Sequence, residues 1–476
     1  MLSNWRNIFQ SQKLKKNTNM KKMKISIYVI CCTFLISIVT VVHAQNKKPN
    51  IVIIMADDLD SHELSCYGGQ NIKTTHIDAL AEKGLKFNQM IASEAMCIPT
   101  RASMFTGLYP VKHGAYQNHK AVKPNLKSIV HYLNDEGYKV GLTGKDHVTK
   151  PKETFPFEII DGFETNCVAT SDEYFLDSIK NYITKDQQPY CLFIMSCNPH
   201  APWTVGDPTE FDASKLVLPK HWVDTKLIRT QFTKYLAEVR RLDNQVGDIM
   251  QLLKDTNQDE NTIVIFLGEQ GPQFAGGKWT LFDNGVKSSM IIKWPNEIKM
   301  NTETNAIVQY EDLTPTLIEI AGGKAPKNLD GSSFLKVLKG HGSKHREYAY
   351  LIHNNIPEGP PYPMRGVRSE HYKLITNYLY TDKYYIKYMM NPDNPRSSWN
   401  TWMKRAQTDP QAKLLTERIH TRPAIEFYDL QNDPNELNNL ATNPKYKKLL
   451  DKYEKKLQKW MVNQGDKGAS LDVKLK

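Results

Sequence analysis

A nine-residue stretch, NIVIIMADD at Asn50–Asp58, decides the class of fold. When it is read as a strand, its first part is apolar on both faces, which is typical of a strand buried inside a parallel sheet. Two carboxylates follow directly where that strand would end. In open α/β sheets, ligands bind beyond the carboxyl ends of the strands. The stretch therefore predicts a central strand that delivers Asp57 and Asp58 to a ligand site.

Three other apolar runs repeat this pattern, and each of them also ends in polar residues. They are Tyr138–Leu142 before TGKDH, Tyr190–Met195 before SCNPHAP, and Thr262–Leu267 before GEQG. Helical patterns fill the intervals, for example at His76–Lys83, Leu126–Glu136 and Phe232–Leu253. Strands that alternate with helices predict an α/β fold with a large, mostly parallel or mixed sheet sandwiched by helices.

The sequence changes character from about Glu347. Short candidate strands follow at Glu347–His353, Met364–Val367 and Tyr372–Thr376. The lysine-rich amphipathic segment Tyr446–Met461 predicts a closing helix. We therefore predict an N-terminal α/β domain at 45–345 and a C-terminal α+β subdomain at 346–476, in which a smaller antiparallel sheet packs with a helix.

The basic charge of the chain is concentrated at its N-terminus. The net charge is +11, and residues 1–44 hold seven Lys or Arg and no acid, which leaves +4 for the rest. Without a basic stripe or a nucleic-acid motif, the sequence predicts no nucleic-acid partner. Three lysines precede the apolar run Ile25–Val42, which closes on Val-His-Ala at 42–44. We predict a signal peptide at 1–44, export to the periplasm or beyond the cell, and no membrane segment after cleavage; an uncleaved anchor is the alternative.

Export would place the cysteines where disulfides can form. Five remain after position 44, namely Cys66, Cys97, Cys167, Cys191 and Cys197. An odd count allows at most two disulfides and leaves one thiol unpaired. Cys191 and Cys197 cannot bond each other across a strand, because their separation would be about 20 Å against a disulfide limit of about 7 Å.

Two strand ends carry oxygen ligands. Asp57 and Asp58 follow one strand, and Glu269 and Gln270 follow another. Carboxylate and amide oxygens suit Ca²⁺ or Mg²⁺ rather than Zn²⁺. An acidic turn that caps the next helix is the alternative for the Asp pair. We expect a cation, because the acidic groups at these strand ends would otherwise repel each other.

The segment CIPTRASMFTG at Cys97–Gly107 predicts a helix that begins near its cysteine. Pro99 suits a first turn, so residue 97 would lie where unpaired N–H groups and the positive end of the helix dipole face an anion. Arg101, one turn on, could reach back to the same anion. A thiolate nucleophile or a merely structural cysteine remains an alternative.

This segment resembles the type I, formylglycine-dependent sulfatases of the alkaline phosphatase superfamily, in which Cys-x-Pro-x-Arg is the signal for oxidation of the cysteine. The resemblance extends over nearly all of the chain after position 44. Its elements are Asn50–Asp58, His76–Ala81, Cys97–Gly107, Gly144–His147, Pro199–Pro202, Gly277–Thr280, Phe427–Leu430, Asn432–Pro434 and Asn439–Ala441. It implies an exported sulfatase that hydrolyses sulfate esters on a sulfated polysaccharide or oligosaccharide.

The resemblance also implies cofactors. A formylglycine-generating enzyme would convert Cys97 to formylglycine (3-oxoalanine), whose gem-diol attacks sulfur and later expels sulfate. The implied metal is Ca²⁺, with Mg²⁺ as the second choice. Its implied ligands are Asp57, Asp58, Cys97, Glu269 and Gln270. Many relatives carry Asp followed by Asn or His at the second strand end, so the longer Glu269 and Gln270 depart from the pattern while they keep charge and ligand type.

The implied catalytic roles fall on five side chains. Arg101 and Lys145 would steady the formylglycine hydrate, and His147 would be the base for breakdown of the sulfated enzyme. His200 and Lys278 would bind sulfate and assist the leaving oxygen. Further substrate contacts are expected from the C-terminal polar loops, at His353, Asn354 and Arg365.

Two other functions stay open at this point. A phosphate- or phosphonate-ester hydrolase of the same superfamily would bind a similar tetrahedral anion. A non-catalytic binder of sulfated glycans would result if Cys97 is never converted.

Overall fold

The structure is a computed structural model that describes residues 10, 12–18, 20–21, 23, 47–148, 150–394 and 397–473. One compact unit spans Pro49–Lys476, and the described residues up to Lys48 belong to a separate, helical unit. The predicted signal-peptide core at 25–42 and its cleavage site lie outside the described residues. Within the described ranges, the chain holds no helix long and apolar enough to cross a membrane.

A mixed sheet, nine-stranded over the described residues, forms the centre of the compact unit. Its strands are β1 Asn50–Met55, β2 Leu85–Ile91, β3 Lys139–Gly144, β4 Glu158–Ile160, β5 Tyr190–Met195, β6 Thr262–Leu267, β7 Lys287–Lys293, β8 Thr302–Thr304 and β9 Val308–Gln309. The order is β4-β3-β5-β1-β6-β7-β2-β8, with β9 also beside β2. Strands β3, β4, β5, β1 and β6 are mutually parallel, whereas β7 runs antiparallel to both of its neighbours.

Helices cover both faces of this sheet. They are α1 Thr75–Glu82, α2 Cys97–Thr106, α3 Pro110–His113, α4 Ile129–Asp135, α5 Asp177–Thr184, α6 Lys226–Asp255, α7 Asp283–Val286, α8 Leu313–Ile320 and α9 Leu335–Leu338. Along β1, Val52 and Ile54 pack into one core cluster with α1, α5 and α6. Ile51 and Ile53 pack into the other cluster with α2, α4 and α8. Burial on both faces explains why this strand is apolar from Ile51 onward.

The C-terminal part forms a second, antiparallel sheet. Its strands, in order, are β10 Ala349–His353, β11 Met364–Arg368, β12 Tyr372–Asn377 and β13 Ile425–Asp429. Its helices are α10 Lys387–Met390, α11 Ser398–Arg405, α12 Pro410–His420 and α13 Lys447–Gln464. One face of the sheet packs against Tyr453 and Trp460 of α13. The other face contributes Leu351 and Ile375 to the core cluster that contains Val52 and Ile54 of β1.

The predicted fold class is confirmed: a large mixed sheet flanked by helices and a smaller antiparallel sheet with a helix. The predicted boundary at 345/346 falls between α9 and β10, and both sheets lie in the unit Pro49–Lys476. All five described cysteines are free thiols. Short 3-10 turns complete the described secondary structure at Ser65–Tyr67, Pro208–Glu210, Asp259–Asn261, Tyr310–Asp312, Pro444–Tyr446 and Gly468–Leu471.

Candidate active site

Cys97 is the first residue of helix α2, as the sequence predicts. The preceding Met96 is extended and offers no side-chain cap to the helix. A helix start leaves backbone N–H groups without partners inside the helix, and the dipole adds positive potential there. Residue 97 therefore lies, fully buried, at a place that favours a bound anion.

The two carboxylates after β1 lie beside this helix start. The Cys97 Sγ is 3.5 Å from Asp57 Oδ1 and 4.0 Å from Asp58 Oδ1. The backbone N–H of Asp57 donates to the carbonyl of Asn198, which fixes the end of β1 to the loop after β5. Asp58 has a left-handed backbone (φ 61°), an uncommon conformation for a residue with a side chain. The loop thus turns sharply enough to present both carboxylates to residue 97.

The loop after β6 brings Glu269 and Gln270 to the same place. Gln270 Nε2 donates to Asp58 Oδ1 at 2.6 Å and to Glu269 Oε2 at 2.7 Å. The same nitrogen is 3.6 Å from Cys97 Sγ. The structure therefore gathers the expected ligands Asp57, Asp58, Cys97, Glu269 and Gln270 into one buried cluster. The extra methylene of Glu and Gln is accommodated there.

Three buried cations neutralise the carboxylates within the described residues. Lys145 Nζ pairs with Asp57, and Arg101 Nε donates to Glu269 Oε1 at 2.6 Å. Lys278 Nζ donates to Asp58 Oδ2 at 2.8 Å and to Cys97 Sγ at 3.3 Å. Arg101 was expected to reach back to an anion at residue 97. In the structure its guanidinium is instead engaged by carboxylates, because Glu269 approaches from the neighbouring strand end.

These contacts set the protonation of the cluster. Burial opposes the charge of Asp57, but the cations Lys145 and Arg101 act against it and help to lower the Asp57 pKa. Burial opposes the charge of Lys278 as well, yet Asp58 raises the Lys278 pKa well above its ordinary value. For Cys97, burial and then Glu269 raise the pKa well above that of a free thiol. The unmodified cysteine is therefore held as a thiol.

The donor chemistry fits a hard divalent cation. Ligand atoms of Asp57, Asp58, Cys97 and His200 all lie within 4.8 Å of one another. Gln270 Oε1 is buried and has no hydrogen-bond partner among the described residues. Carboxylate oxygens and an amide oxygen are the ligands that Ca²⁺ and Mg²⁺ take in proteins. The presence of His200 in this group was not expected, since the sequence assigned it to sulfate.

His200 lies on the open side of the cluster. Its Nε2 is 3.6 Å from Asp58 Oδ2, and its Nδ1 is buried with no hydrogen-bond partner among the described residues. Burial lowers the pKa of His200. A largely neutral imidazole with one unpartnered ring nitrogen can exchange a proton with a group that enters the site.

His147 contacts Cys167 and His119 rather than the carboxylates of the cluster. It follows Lys145 by two residues, but its ring contacts Cys167 Sγ and packs 5.6 Å from the ring of His119. Burial, then Lys145 and Arg101, lower its pKa to about 2. Cys167 was not singled out from the sequence, because it lies in an irregular loop without a motif.

Tyr310 is a second residue that the sequence did not reveal. Its hydroxyl donates to the Glu269 carbonyl at 3.0 Å and pairs with Ser288 Oγ at 2.9 Å. These contacts hold the loop after β6 from the side of β7. Tyr310 follows β9, and it reaches Glu269 through the pairing of β9 with β2, of β2 with β7 and of β7 with β6, so no local sequence signal could have shown it.

The three expected C-terminal substrate contacts are fully buried. His353 Nε2 pairs with Asn355 Oδ1 at 2.7 Å, and Asn354 Nδ2 donates to the carbonyl of Tyr116. Arg365 forms a bidentate pair with Asp466. These hydrogen bonds of the three side chains go to Asn355, Tyr116 and Asp466, and none of them involves a side chain of the cluster at Cys97. These residues support the second sheet and are not carried into the substrate site.

Two family models match the chain. The model described as Sulfatase matches residues 49–323, which is more than half of the chain. The model described as N-sulphoglucosamine sulphohydrolase, C-terminal, matches residues 274–423. Together they span residues 49–423, which hold the first sheet and strands β10 to β12 of the second.

Similar proteins point the same way. An ulvan-active sulfatase of Formosa agariphila is 33% identical over 431 residues, covering 89% of this chain and 82% of that protein. The human N-sulphoglucosamine sulphohydrolase is 26% identical over 482 residues, covering 90% of this chain and 92% of that protein. A solved structure, described as a complex with its substrate D-glucosamine-2-N,6-O-disulfate, superposes with a TM-score of 0.69 at 20% identity, covering 88% of this chain and 99% of that one. This last likeness concerns the fold alone.

Proposed function

Because the chain belongs to the sulfatase family, we propose that it removes sulfate from a sulfated oligosaccharide or polysaccharide and that residue 97 carries the nucleophile. Membership makes it a sulfuric ester hydrolase. The carbohydrate substrate is supported by the similar proteins, one named for ulvan and one for N-sulphoglucosamine. The observation that carries the proposal is the position of Cys97 at an uncapped helix start, between Lys278 and two carboxylates.

We propose that Cys97 is converted to formylglycine by a maturation enzyme. The hydrated aldehyde supplies two hydroxyls on one carbon, so that sulfate can be taken up and released without attack of water at sulfur. The chain's own contribution is to orient this residue. Helix α2 fixes its backbone, Gln270 and Lys278 approach its side chain, and the N–H groups of the first helical turn bind the anionic sulfate.

We propose that Asp57, Asp58, Glu269 and Gln270 hold Ca²⁺ together with residue 97. When bound, a divalent cation supplies Lewis-acid polarisation of an oxygen on the substrate or on residue 97. Lys145 and Arg101 keep the ligand carboxylates ionised and in place. Lys278 is the cation best placed to leave its carboxylate for the sulfate, since it already contacts residue 97.

His200 and Lys278 are proposed for the side of the leaving oxygen. The unpartnered Nδ1 of His200 can carry a proton toward an alkoxide, and Lys278 can stabilise its charge. His147, two residues after Lys145, is proposed as the base that acts after the leaving group has gone. The proposed route to the site of action is export through the signal peptide at 1–44.

The test is sulfate release from defined sugars. The chain is produced together with a formylglycine-generating enzyme and assayed on glucosamine 6-O-sulfate, glucosamine N-sulfate and sulfated oligosaccharides prepared from ulvan. Sulfate in the product is measured by ion chromatography, with Cys97→Ala as the inactive control. Release by the wild type alone is expected.

Other outcomes identify the alternatives. Phosphate release from the matching phosphate esters, faster than sulfate release, would make the chain a phosphohydrolase. Saturable binding of ulvan oligosaccharides without any release would make it a binding protein.

A further inference from the structure

A wide cleft opens beside the candidate active site. It has about 790 Å³ of space, within the range of roughly 300–1,000 Å³ that small-molecule sites occupy. One wall is the loop at 201–206, directly after His200. A second wall includes Gln273 and Ala275, which lie between Gln270 and Lys278 in the chain. The cleft therefore shares its walls with the loops that carry three side chains of the site.

The third wall comes from the C-terminal part of the chain. It includes Tyr388 of α10 and Trp399 of α11. The ring of Tyr388 stacks on that of Trp279 at 6.1 Å and 21°, and Trp279 follows Lys278 directly. This contact ties the third wall to the active site. The cleft thus lies next to the site through the residues that follow His200, those that precede Lys278 and the contact of Tyr388 with Trp279.

Trp203 gives the cleft a rigid aromatic surface. Its ring stacks on Phe274 at 4.6 Å and 21°, and its Nε1 donates to the carbonyl of Pro199 at 3.0 Å. Tyr388, by contrast, is 49% exposed at the rim. Flat aromatic surfaces bind the apolar faces of sugar rings, and their polar edges remain free to form hydrogen bonds.

The polar groups of the cleft are neutral or cationic. Among the described residues that line it, none is acidic and Lys234, exposed on α6, is the one charged side chain. The neutral polar groups include Thr230, Gln231 and Gln273. Aromatic surfaces, neutral hydrogen-bonding groups and one cation complement an anionic sugar better than they complement an apolar or a basic ligand.

We infer that this cleft binds the sugar unit next to the sulfated one, and that this neighbouring unit is itself anionic. The inference rests on the proposed function, because the sulfated unit must occupy the site at Cys97. It adds that a chain of at least two sugars is a better substrate than a monosaccharide. Tyr388 and Trp203 contact the neighbouring ring, and Lys234 faces its carboxylate or sulfate group.

The kinetic test compares substrates that fill the cleft with one that does not. Sulfate release is measured on a sulfated disaccharide with a uronic acid as second unit, on one with a second sulfated sugar, on one with a neutral second unit, and on an aryl sulfate. Tyr388→Ala should lower kcat/KM on all three disaccharides, relative to the aryl sulfate, by about 5- to 10-fold. Tyr380→Ala removes a tyrosine of equal exposure, 50%, that does not line the cleft, and it should leave the ratio unchanged.

Lys234 tests the charge of the neighbouring unit. Lys234→Gln should lower kcat/KM by about 3- to 5-fold on the two anionic disaccharides relative to the neutral one. The disaccharide whose kcat/KM falls more, the one with the uronic acid or the one with the second sulfated sugar, identifies the anion that faces the lysine. Lys254→Gln, at the far end of the same helix, is the matched control. Equal effects of Lys234→Gln on the neutral and the anionic disaccharides would overturn the assignment of an anionic unit.

A binding measurement separates this inference from the proposed function. The Cys97→Ala chain is titrated with the uronic disaccharide in a calorimeter, with and without Tyr388→Ala. Weaker binding with Tyr388→Ala, and unchanged binding with Tyr380→Ala, supports the cleft even if no sulfate is released from any substrate. Sulfate release by the wild type without any change of the substrate ratio in Tyr388→Ala, or equal binding by both chains, would overturn the cleft and leave the sulfatase activity standing.

Discussion

The buried charges around Cys97 and those around Asp283 are built from the same residue types but are partnered differently. Arg368 Nε donates to Asp283 Oδ1 at 2.8 Å, and Arg368 Nη2 donates to Asp283 Oδ2 at 2.7 Å. Lys373 adds a contact to Asp283 at 2.5 Å and one to Glu436 at 2.9 Å. No cysteine lies among these groups. This cluster joins the second sheet to α7 and has the closed geometry of a structural ion pair.

The cluster at Cys97 is less complete. Lys278 divides its contacts between Asp58 and the sulfur of Cys97. Buried Gln270 Oε1 and His200 Nδ1 have neither a hydrogen-bond partner nor an ion-pair partner among the described residues. Lys373 Nζ and Glu436 Oε1 of the other cluster also lack a hydrogen bond, but they form an ion pair with each other at 2.9 Å. Leaving such atoms without partners costs free energy in a purely structural cluster. The difference indicates that the first cluster is arranged to receive further groups, whereas the second is arranged to hold two sheets together. Four predictions test this contrast.

The largest expected effect is that of Cys97→Ala. Removal of the nucleophile should reduce sulfate release by about 10⁴-fold or more. Cys191→Ala is the matched control, since Cys191 is an equally buried cysteine on β5 and contacts no group of the site. Its activity should stay within severalfold of the wild type once folded protein is counted by circular dichroism. Comparable losses in both variants would remove the distinction between the two cysteines.

Removal of metal comes next. Chelation should abolish activity, and Ca²⁺ should restore it, because the candidate ligands are oxygens of a hard-cation site. The chain should stay folded without metal, since Lys145, Arg101 and Lys278 already pair with the carboxylates. Full activity in excess chelator, with no metal found by elemental analysis, would contradict the assignment.

Substitutions at His200 and Lys278 should depend on the leaving group. A sugar alkoxide needs a proton or a cation, whereas an activated phenolate departs unaided. His200→Ala and Lys278→Ala should therefore cost about 10²- to 10⁴-fold on a sulfated sugar and much less on an aryl sulfate. His147→Ala, which acts after departure, should slow both substrates alike. Equal losses on both substrates for the first two variants would leave them as sulfate binders only.

The smallest effect on activity is expected from the second cluster. Arg368→Met breaks a buried ion pair and should lower the free energy of unfolding by about 3–5 kcal/mol. The folded fraction should keep its kcat within severalfold. Arg405→Met is the control, because the exposed pair with Asp409 should contribute less than about 1 kcal/mol. Denaturant unfolding measures the free energy of unfolding of each variant. An Arg368→Met enzyme that is active and has an unchanged free energy of unfolding would refute the structural role.

The parallel centre of the fold could be predicted from the sequence because its signals are local. The runs that became β1, β5 and β6 are apolar apart from Asn50 and Thr262, which begin β1 and β6, and each run ends in polar residues. The observed bounds of β5 and β6 match the predicted ones. Strands β2 and β7 were not predicted. Their sequences, LKFNQMI and KSSMIIK, mix polar and apolar residues. They become strands through long-range pairing, of β2 with β7, β8 and β9 and of β7 also with β6.

The candidate site shows the same division between local and long-range information. The helix start at Cys97 and the carboxylates at two strand ends follow from local sequence. The pairing of Arg101 with Glu269, the contact of His147 with Cys167 and the burial of Arg365 against Asp466 join residues far apart in the chain. Strand order decides which charged groups face each other, and no single segment of the sequence determines the strand order.

The central claim, that residue 97 carries the nucleophile as formylglycine, is tested most directly by the mass of the peptide that contains it. The measurement is made on several preparations whose specific activities differ. The account predicts that this peptide loses about 18 Da, as a thiol does on conversion to an aldehyde, and that the converted fraction rises in proportion to specific activity. Full activity in a preparation whose residue 97 is an unmodified thiol would contradict it.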